Sequence, residues 1–237
     1  MPEWINIFLL SLAAGASIPL GTALGFINKI QPQWLKEELR HFILSFGGGA
    51  LLAAVSLVLI PEGLENLSLS LAVISFLTGG VFFMLIDRSI EKRGGSVANM
   101  IAMMTDFIPE ALALGASFAH NKATAILMAV LIAIQNIPES FNAYREVTEH
   151  NDVSKSKWII LFCLLALVGP IAALSGHFFL QTEPLIKSTI MMFSASGILY
   201  LIFQDVAPQS KLEKSWAPSL GAVLGFLVGL IGHMLTQ

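Results

Sequence analysis

The sequence predicts an all-α, polytopic membrane protein with eight transmembrane helices. Of its 237 residues, 55% are hydrophobic and only 12% are charged, whereas a typical soluble domain has about 25% charged residues. A soluble globule of this size could not bury so much apolar surface, so the lipid bilayer must be part of its solvent. The hydrophobic residues also fall into eight long runs, which gives the predicted number of spans.

The eight runs each approach the roughly 20 apolar residues that a helix needs to cross a bilayer. The connections between them are short, and none has the Ser, Pro or charge content of an interdomain linker, so residues 1–237 are expected to form a single domain. The predicted spans are 4–27, 40–61, 68–87, 97–119, 123–144, 157–180, 186–207 and 217–236.

The distribution of basic residues predicts the orientation. Eleven of the 13 Lys and Arg residues follow odd-numbered spans, and only Lys122 and Lys187 lie on the other side. The positive-inside rule places the richer side in the cytoplasm. Both termini are then outside, which agrees with an even number of spans. The expected location is the plasma (cell inner) membrane, and the first apolar run is expected to remain as a span because no basic region precedes it.

The composition also excludes several classes of protein. Acidic residues (16) outnumber basic ones (13), and no basic patch occurs, which argues against a nucleic-acid partner. A single cysteine, Cys163, cannot form a disulfide framework. No enzyme motif such as His-Glu-x-x-His and no ATP-binding motif is present, so we expect neither catalysis nor ATP-driven transport.

Polar residues with matched spacing occur in the fourth and fifth spans. Asp106 precedes Glu110 by four residues and Gln135 precedes Glu139 by four, with a proline just before each glutamate. In a helix, residues four apart share one face, and the two spans are expected to be antiparallel neighbours because their connection is short. The two pairs should therefore meet at similar depth within the bilayer.

The chemistry of these residues indicates an ion site. Ionisable groups in the hydrocarbon region are costly and typically mark an ion pathway. A proline inside a helix frees a backbone carbonyl, which is tolerated at membrane depth only within protein or beside water. Oxygen-rich clusters suit divalent cations. The alternative is that the carboxyls are neutral and only form hydrogen bonds between helices.

Weaker echoes of the motif follow in two other spans, as Pro61-Glu62 in the second and as Asp205 with Pro208-Gln209 in the seventh. Repeated proline segments suggest the internal duplication that is usual in secondary transporters. Asp205 could instead pair with Asn136 or another helix. Polar residues near the outer face could attract cations to an entrance or could simply be solvated: Glu62, Glu65, His120, His177 and Glu183.

The paired motifs resemble the zinc- and iron-regulated transporter-like (ZIP) metal permeases. In that family, segments of the form His-Asn-x-Pro-Glu lie on consecutive spans of an eight-helix protein with both termini outside. The resemblance extends to the second span, in Phe46-Gly47-Gly48-Gly49 leading to Pro61-Glu62, and to the seventh, in Ser194-Ala195-Ser196-Gly197 with Asp205. It covers nearly the whole chain and implies a bundle of inverted repeats.

The resemblance implies a pair of metal sites halfway through the membrane. The first-site ligands map onto Asp106, Glu110, Gln135 and Glu139; Asn136 belongs to the second site, and Asp205 lies where the family often has an acidic residue near the site. Two second-site positions depart from the family, because Phe107 replaces the usual Asn and Gly169 replaces a usual Glu. We therefore expect a single-ion site. Its lack of imidazole favours Mn²⁺ or Fe²⁺ relative to Zn²⁺.

The function expected from this resemblance is alternating-access transport of a divalent cation of the zinc, iron or manganese class into the cytoplasm. The metal is the substrate, and no organic cofactor is expected. The lipid bilayer is the other expected partner, and a homodimer is left open. The alternative is a non-transporting protein on the same scaffold, with a metal-sensing or structural role and a degenerate second site.

Overall fold

The computed structural model describes residues 2–27, 33–93, 98–118, 121–150, 154–210 and 215–236. Within these ranges the chain is helical almost throughout and contains no β-strand, which confirms the all-α prediction. The helices are α1 Glu3–Gly15, α2 Ser17–Ile27, α3 Gln33–Ala54, α4 Ile60–Leu64, α5 Leu69–Arg93, α6 Ala98–Phe118, α7 Lys122–His150, α8 Lys155–Leu165, α9 Val168–Leu180, α10 Pro184–Leu201, α11 Ala207–Gln209 and α12 Ala217–Thr236.

Eight segments of the described chain are long and apolar enough to cross a membrane, as predicted. Their ends differ from the predicted ends by at most four residues, and positions 97 and 119 lie outside the described residues. Spans 1 to 8 are Glu3–Phe26, Glu38–Leu64, Leu69–Ser89, Met100–Phe118, Lys122–Thr148, Ser156–Leu180, Pro184–Gln209 and Ala217–Thr236.

Four spans form the centre of the bundle. In spans 2, 4, 5 and 7, between 56% and 67% of the residues are buried, whereas in spans 3 and 8 only 22% and 17% are. The peripheral spans expose long rows of Leu, Ile, Val and Phe side chains, as lipid-facing helices do. Any polar pathway through this protein must therefore lie between spans 2, 4, 5 and 7.

The packing of the helices repeats within the chain. Span 3 packs along span 7 as span 8 packs along span 2, and span 4 packs on span 6 as span 5 packs on span 1. If span 1 is exchanged with span 6, span 2 with span 7, span 3 with span 8 and span 4 with span 5, the same pairs of spans remain in contact. Each exchanged pair combines an odd and an even span, which run in opposite directions. This is the arrangement of an inverted repeat, in line with the predicted duplication.

Irregular turns repeat in the same way. Span 1 is interrupted at Ala16 and span 6 between α8 and α9, and each following helix has proline at its third position. In spans 2 and 7, π-helical turns at Val55–Leu59 and Ile202–Val206 each precede a short helix with proline at its second position. Proline lacks the N–H that a regular helix would use, and a π-helical turn is one way to absorb that loss.

Glycines allow the paired spans to approach closely. A Cβ on Gly79 of span 3 would collide with the backbone carbonyl of Phe193 in span 7, and a Cβ on Gly225 of span 8 would collide with that of Phe46 in span 2. Small residues at such crossings are the usual means of packing helices in a bilayer. The two crossings occupy equivalent places in the repeat.

The two ends of the bundle differ in their charged residues. The basic end is the end where Arg40, Arg88, Arg145 and Lys157 lie, and the far end is the end of Glu62 and Lys187.

We expect Gly79→Ala to lower the thermal unfolding temperature of the purified protein more than the adjacent change Gly80→Ala. The first methyl group meets the Phe193 backbone, which cannot move aside, whereas the second meets only the Ser196 hydroxyl, 2.8 Å from the added atom. Both changes gain the same helix propensity, and overpacking costs about 1–3 kcal/mol. Equal unfolding temperatures for the two variants would contradict the close approach of spans 3 and 7 at Gly79.

Candidate metal site

The predicted acidic residues of span 4 lie inside the protein. Asp106 and Glu110 are 3% and 2% exposed, and they lie one turn apart on α6. In α7, Gln135 is fully buried and Glu139 is largely buried. All four side chains therefore avoid the lipid.

A hydrogen bond joins the two pairs across the helices. The Gln135 amide nitrogen Nε2 donates to Glu110 Oε2 at 2.5 Å. This contact confirms that spans 4 and 5 are neighbours and that the two motifs meet at the same depth. Because the amide nitrogen is used, the Gln135 carbonyl oxygen Oε1 remains buried with no hydrogen-bond partner among the described residues.

Asp106 and Glu139 line a cavity between spans 2, 4, 5 and 7. Its volume is about 50 Å³, enough for a few water molecules. Asp106 uses one oxygen to accept the Phe107 backbone N–H at 2.8 Å. The residues lining the cavity are Leu44, Leu51, Ala102, Met103, Asp106, Glu139, Asn142, Leu201, Asp205, Val206 and Gln209.

Several polar atoms of span 5 are buried without partners in the described part of the chain. They are Gln135 Oε1, Glu139 Oε2, both amide atoms of Asn136 and, outside the predicted site, the Tyr144 hydroxyl. Buried polar groups are nearly always satisfied, and an unsatisfied one costs about 1–3 kcal/mol. Such a row of orphaned oxygens is what a site for a cation or for ordered water requires.

The charges of the site oppose one another. Asp106 is close enough to Glu110 for their charges to repel, and Glu139 is close enough to both. In a medium of low dielectric this repulsion is strong, and a bound cation would relieve it. Within the described ranges, no three His, Cys, Asp or Glu side chains are arranged to hold a metal ion. Ion binding would therefore require these side chains to turn toward one another.

The alternative is that the carboxyls are neutral and only form hydrogen bonds between helices. Glu110 receives an interhelical hydrogen bond from Gln135, whereas Asp106 accepts from its own chain and Glu139 has a buried, unpartnered oxygen in the described structure. Among the described contacts, only Glu110 thus fits the role of a carboxyl that bridges the two helices.

Phe107 and Gly169 fit together. The Phe107 ring is 1% exposed, and a Cβ built on Gly169 would lie 2.6 Å from its Cζ atom. The ring therefore fills the space that a side chain at position 169 would need. The two departures from the ZIP pattern are a complementary pair, and Asn136 is the remaining polar residue of the expected second site.

Asp205 lies in the π-helical turn of span 7 and lines the same cavity as Asp106 and Glu139. Its expected alternative, a pairing with Asn136, is absent, since both amide atoms of Asn136 lack a partner in the described structure. Asp87 and Glu146 are near enough to repel its charge, and the Tyr200 hydroxyl holds Asp87 at 2.8 Å. Asp205 is thus positioned between the cavity and an acidic region.

Sequence reasoning gave no site role to two cavity residues, Asn142 and Gln209, although Gln209 belongs to the motif echo of the seventh span. Asn142 follows Gln135 by seven residues, which is two helical turns on the same face, so its spacing could have identified it. Of the expected entrance residues, Glu65 is exposed, His177 is buried and His120 lies outside the described residues.

Comparison with known proteins finds similar sequences. A protein of Arabidopsis thaliana named as a putative zinc transporter is 25% identical over 225 residues, covering 89% of this chain and 35% of the relative. This chain therefore spans about a third of the relative's length. No family model matches the chain.

A double-mutant cycle tests the fit of Phe107 against Gly169. We expect Gly169→Val to destabilise the protein by about 1–3 kcal/mol, because the added side chain meets the buried ring, and Phe107→Ala to relieve this cost. Thermal unfolding of the four proteins gives the coupling between the positions. Purely additive effects would show that the ring and the glycine are not in contact.

Proposed function

We propose that this chain moves a divalent metal cation across the bilayer through the site formed by Asp106, Glu110, Gln135 and Glu139. The observation that carries the proposal is the set of buried, mutually repelling carboxylates beside orphaned polar atoms and a cavity. Charged groups are retained inside a membrane protein when they serve an ion pathway. The name of the Arabidopsis relative supports metal as the cargo.

The substrate belongs to the zinc, iron or manganese class. Three carboxylates and an amide form a hard set of oxygen ligands, which favours Mn²⁺ and Fe²⁺ relative to Zn²⁺. Asp205 serves as a relay ligand on the way out of the site, and the Asn136 amide contributes from span 5. The Phe107 ring limits the site to one ion.

The direction of transport is from outside to cytoplasm, with the basic end in the cytoplasm under the positive-inside rule. The cavity beside the site is lined by residues from the basic-end halves of spans 2, 4, 5 and 7. Transport proceeds by alternating access, with the inverted repeats exchanging their conformations. The flux follows the cation gradient or the membrane potential.

A second function is favoured by one observation. The ring of Phe107 packed against Gly169 removes the space of a second site, and such loss fits a protein that binds metal as a sensor without moving it. Binding with no uptake distinguishes this role from transport.

We expect reconstituted vesicles to take up Mn²⁺ or Fe²⁺, and the double change Glu110→Gln/Glu139→Gln to reduce uptake at least about 100-fold, since each glutamine removes a charged ligand. Uptake is measured with a metal-sensitive dye inside the vesicles. Glu3→Gln, which alters an exposed glutamate that is not one of the candidate entrance residues, is the matched control. Equal uptake by the wild type and the double variant would refute the proposal.

Metal affinity is expected to fall as the pH is lowered from about 7 to about 4.5, because protons compete with the cation for carboxylate oxygens. Titration calorimetry of the purified protein with Mn²⁺ at a series of pH values measures the change. A flat affinity over this interval would mean that carboxylates do not bind the metal.

A further inference from the structure

A buried ion pair joins spans 2 and 7 at the far end. Lys187 Nζ lies 3.1 Å from Glu62 Oε2, and the two side chains are 4% and 14% exposed. Another pair at the same end, Lys122 with Glu3, is 61% and 48% exposed. Surface pairs of that second kind contribute little to stability. The Lys187–Glu62 pair is different, because both charges have been removed from solvent.

Further contacts tighten the same joint. The Ser188 hydroxyl donates to the Glu62 backbone carbonyl at 3.3 Å, and the Asn66 amide donates to the Ser188 hydroxyl at 3.2 Å. Gly63 lies against Met192, whose Cγ would be 2.7 Å from a Cβ on that glycine. Spans 2 and 7 are therefore in close contact on the far side of the metal site.

Toward the basic end the same two spans touch where Gly48 lies against Val206, but they also border a cavity. The cavity lies between them there, with Leu44 and Leu51 on span 2 facing Leu201 and Asp205 on span 7. It extends from the acidic site to Gln209, which is exposed. The described contacts thus join spans 2 and 7 beyond the site at the far end, while a cavity borders the site on the basic side, as expected for one of the two states of alternating access.

The repeat supplies a counterpart for Lys187. Lys187 precedes Pro208 in span 7 by 21 residues, and Arg40 precedes Pro61 in span 2 by the same 21 residues. Glu62 and Gln209 follow these prolines directly. The contact at the basic end that corresponds to Lys187–Glu62 is therefore Arg40–Gln209. In this structure Arg40 Nε donates instead to Asn142 Oδ1 of span 5, at 3.4 Å.

We propose that Lys187 and Glu62 form a latch that keeps the far side of the pathway closed, and that Arg40 and Gln209 form its counterpart when the basic end closes. This inference rests on the proposed transport function and names the residues that control access to its site. Opening the far side separates the Lys187 ammonium from the Glu62 carboxylate and admits water to both. A cation can then reach the site, while Arg40 leaves Asn142 for span 7.

Thiol labelling tests the latch without metal. In a Cys163→Ala background, one reporter is Ser194→Cys, a buried position two turns along α10 from Lys187. The other is Leu201→Cys, which lines the cavity. Each reporter is combined with Lys187→Glu, which places two carboxylates face to face, and with the exchange Glu62→Lys/Lys187→Glu. Lys122→Glu alters the exposed pair and is the matched control.

We expect Lys187→Glu to raise the rate at which a water-soluble maleimide labels the thiol at position 194 by at least about tenfold. The two facing carboxylates repel each other and so increase the population of the state in which the far end is open. The rate at position 201 should fall. The charge exchange should restore both rates, and Lys122→Glu should change neither. Unchanged rates in Lys187→Glu would overturn the latch. Rates that rise together at both positions would indicate lost packing, and would overturn it as well.

Cross-linking tests the counterpart at the basic end. Cysteines at positions 40 and 209 should cross-link slowly with a short bifunctional maleimide when the latch is intact and at least about tenfold faster with Lys187→Glu. An unchanged rate would refute the closing of spans 2 and 7 at these two positions. None of these assays needs metal. If the wild type takes up no metal, while Lys187→Glu raises labelling at position 194 and lowers it at position 201, transport is refuted and the latch is retained. Normal uptake with no labelling response in Lys187→Glu would refute the latch alone.

Discussion

Three carboxylates inside a hydrocarbon-like medium are the constraint on which the rest of this structure depends. Asp106, Glu110 and Glu139 lie close enough together for their charges to repel when all three are ionised, and desolvation makes each ionised form costly. The protein offsets this only in part, through the amide of Gln135 and one backbone N–H. Spans 2, 4, 5 and 7 must therefore enclose the site, and the apolar spans 3 and 8 must shield them from lipid. Under the proposed function, a bound cation would offset the remaining electrostatic cost.

The inverted repeat explains how one short chain can surround such a site. Equivalent irregular turns in spans 2 and 7 place a break and a proline on each side of the pathway, while equivalent glycines seat spans 3 and 8 against them. Because the two halves run in opposite directions, a local conformation at one end has a counterpart at the other. Under the proposed mechanism the repeat encodes two states of similar construction, which differ in the end of the bundle that is closed.

Much of this organisation could be predicted from the sequence. The spans follow from apolar runs, and the meeting of Gln135 with Glu110 follows from a four-residue spacing on two adjacent helices. Contacts that depend on packing between distant segments could not be predicted in this way. Lys187 counts in the sequence only as a basic residue on the outer side, yet it is buried against Glu62, 125 residues away. The match of Phe107 to Gly169 is likewise visible only once spans 4 and 6 are packed together.

The energetics of a buried ion pair suit a contact that must repeatedly form and break. Desolvation of Lys187 and Glu62 offsets part of their Coulombic attraction, so the pair can hold the closed state without making it irreversible. Removing one partner, however, leaves a buried charge uncompensated, at a cost of about 3–5 kcal/mol. The pair thus discriminates strongly between correct and incorrect closure while adding little to the barrier for opening. Apolar side chains in the same position would lack this selectivity, because they would pack almost as well in a displaced register.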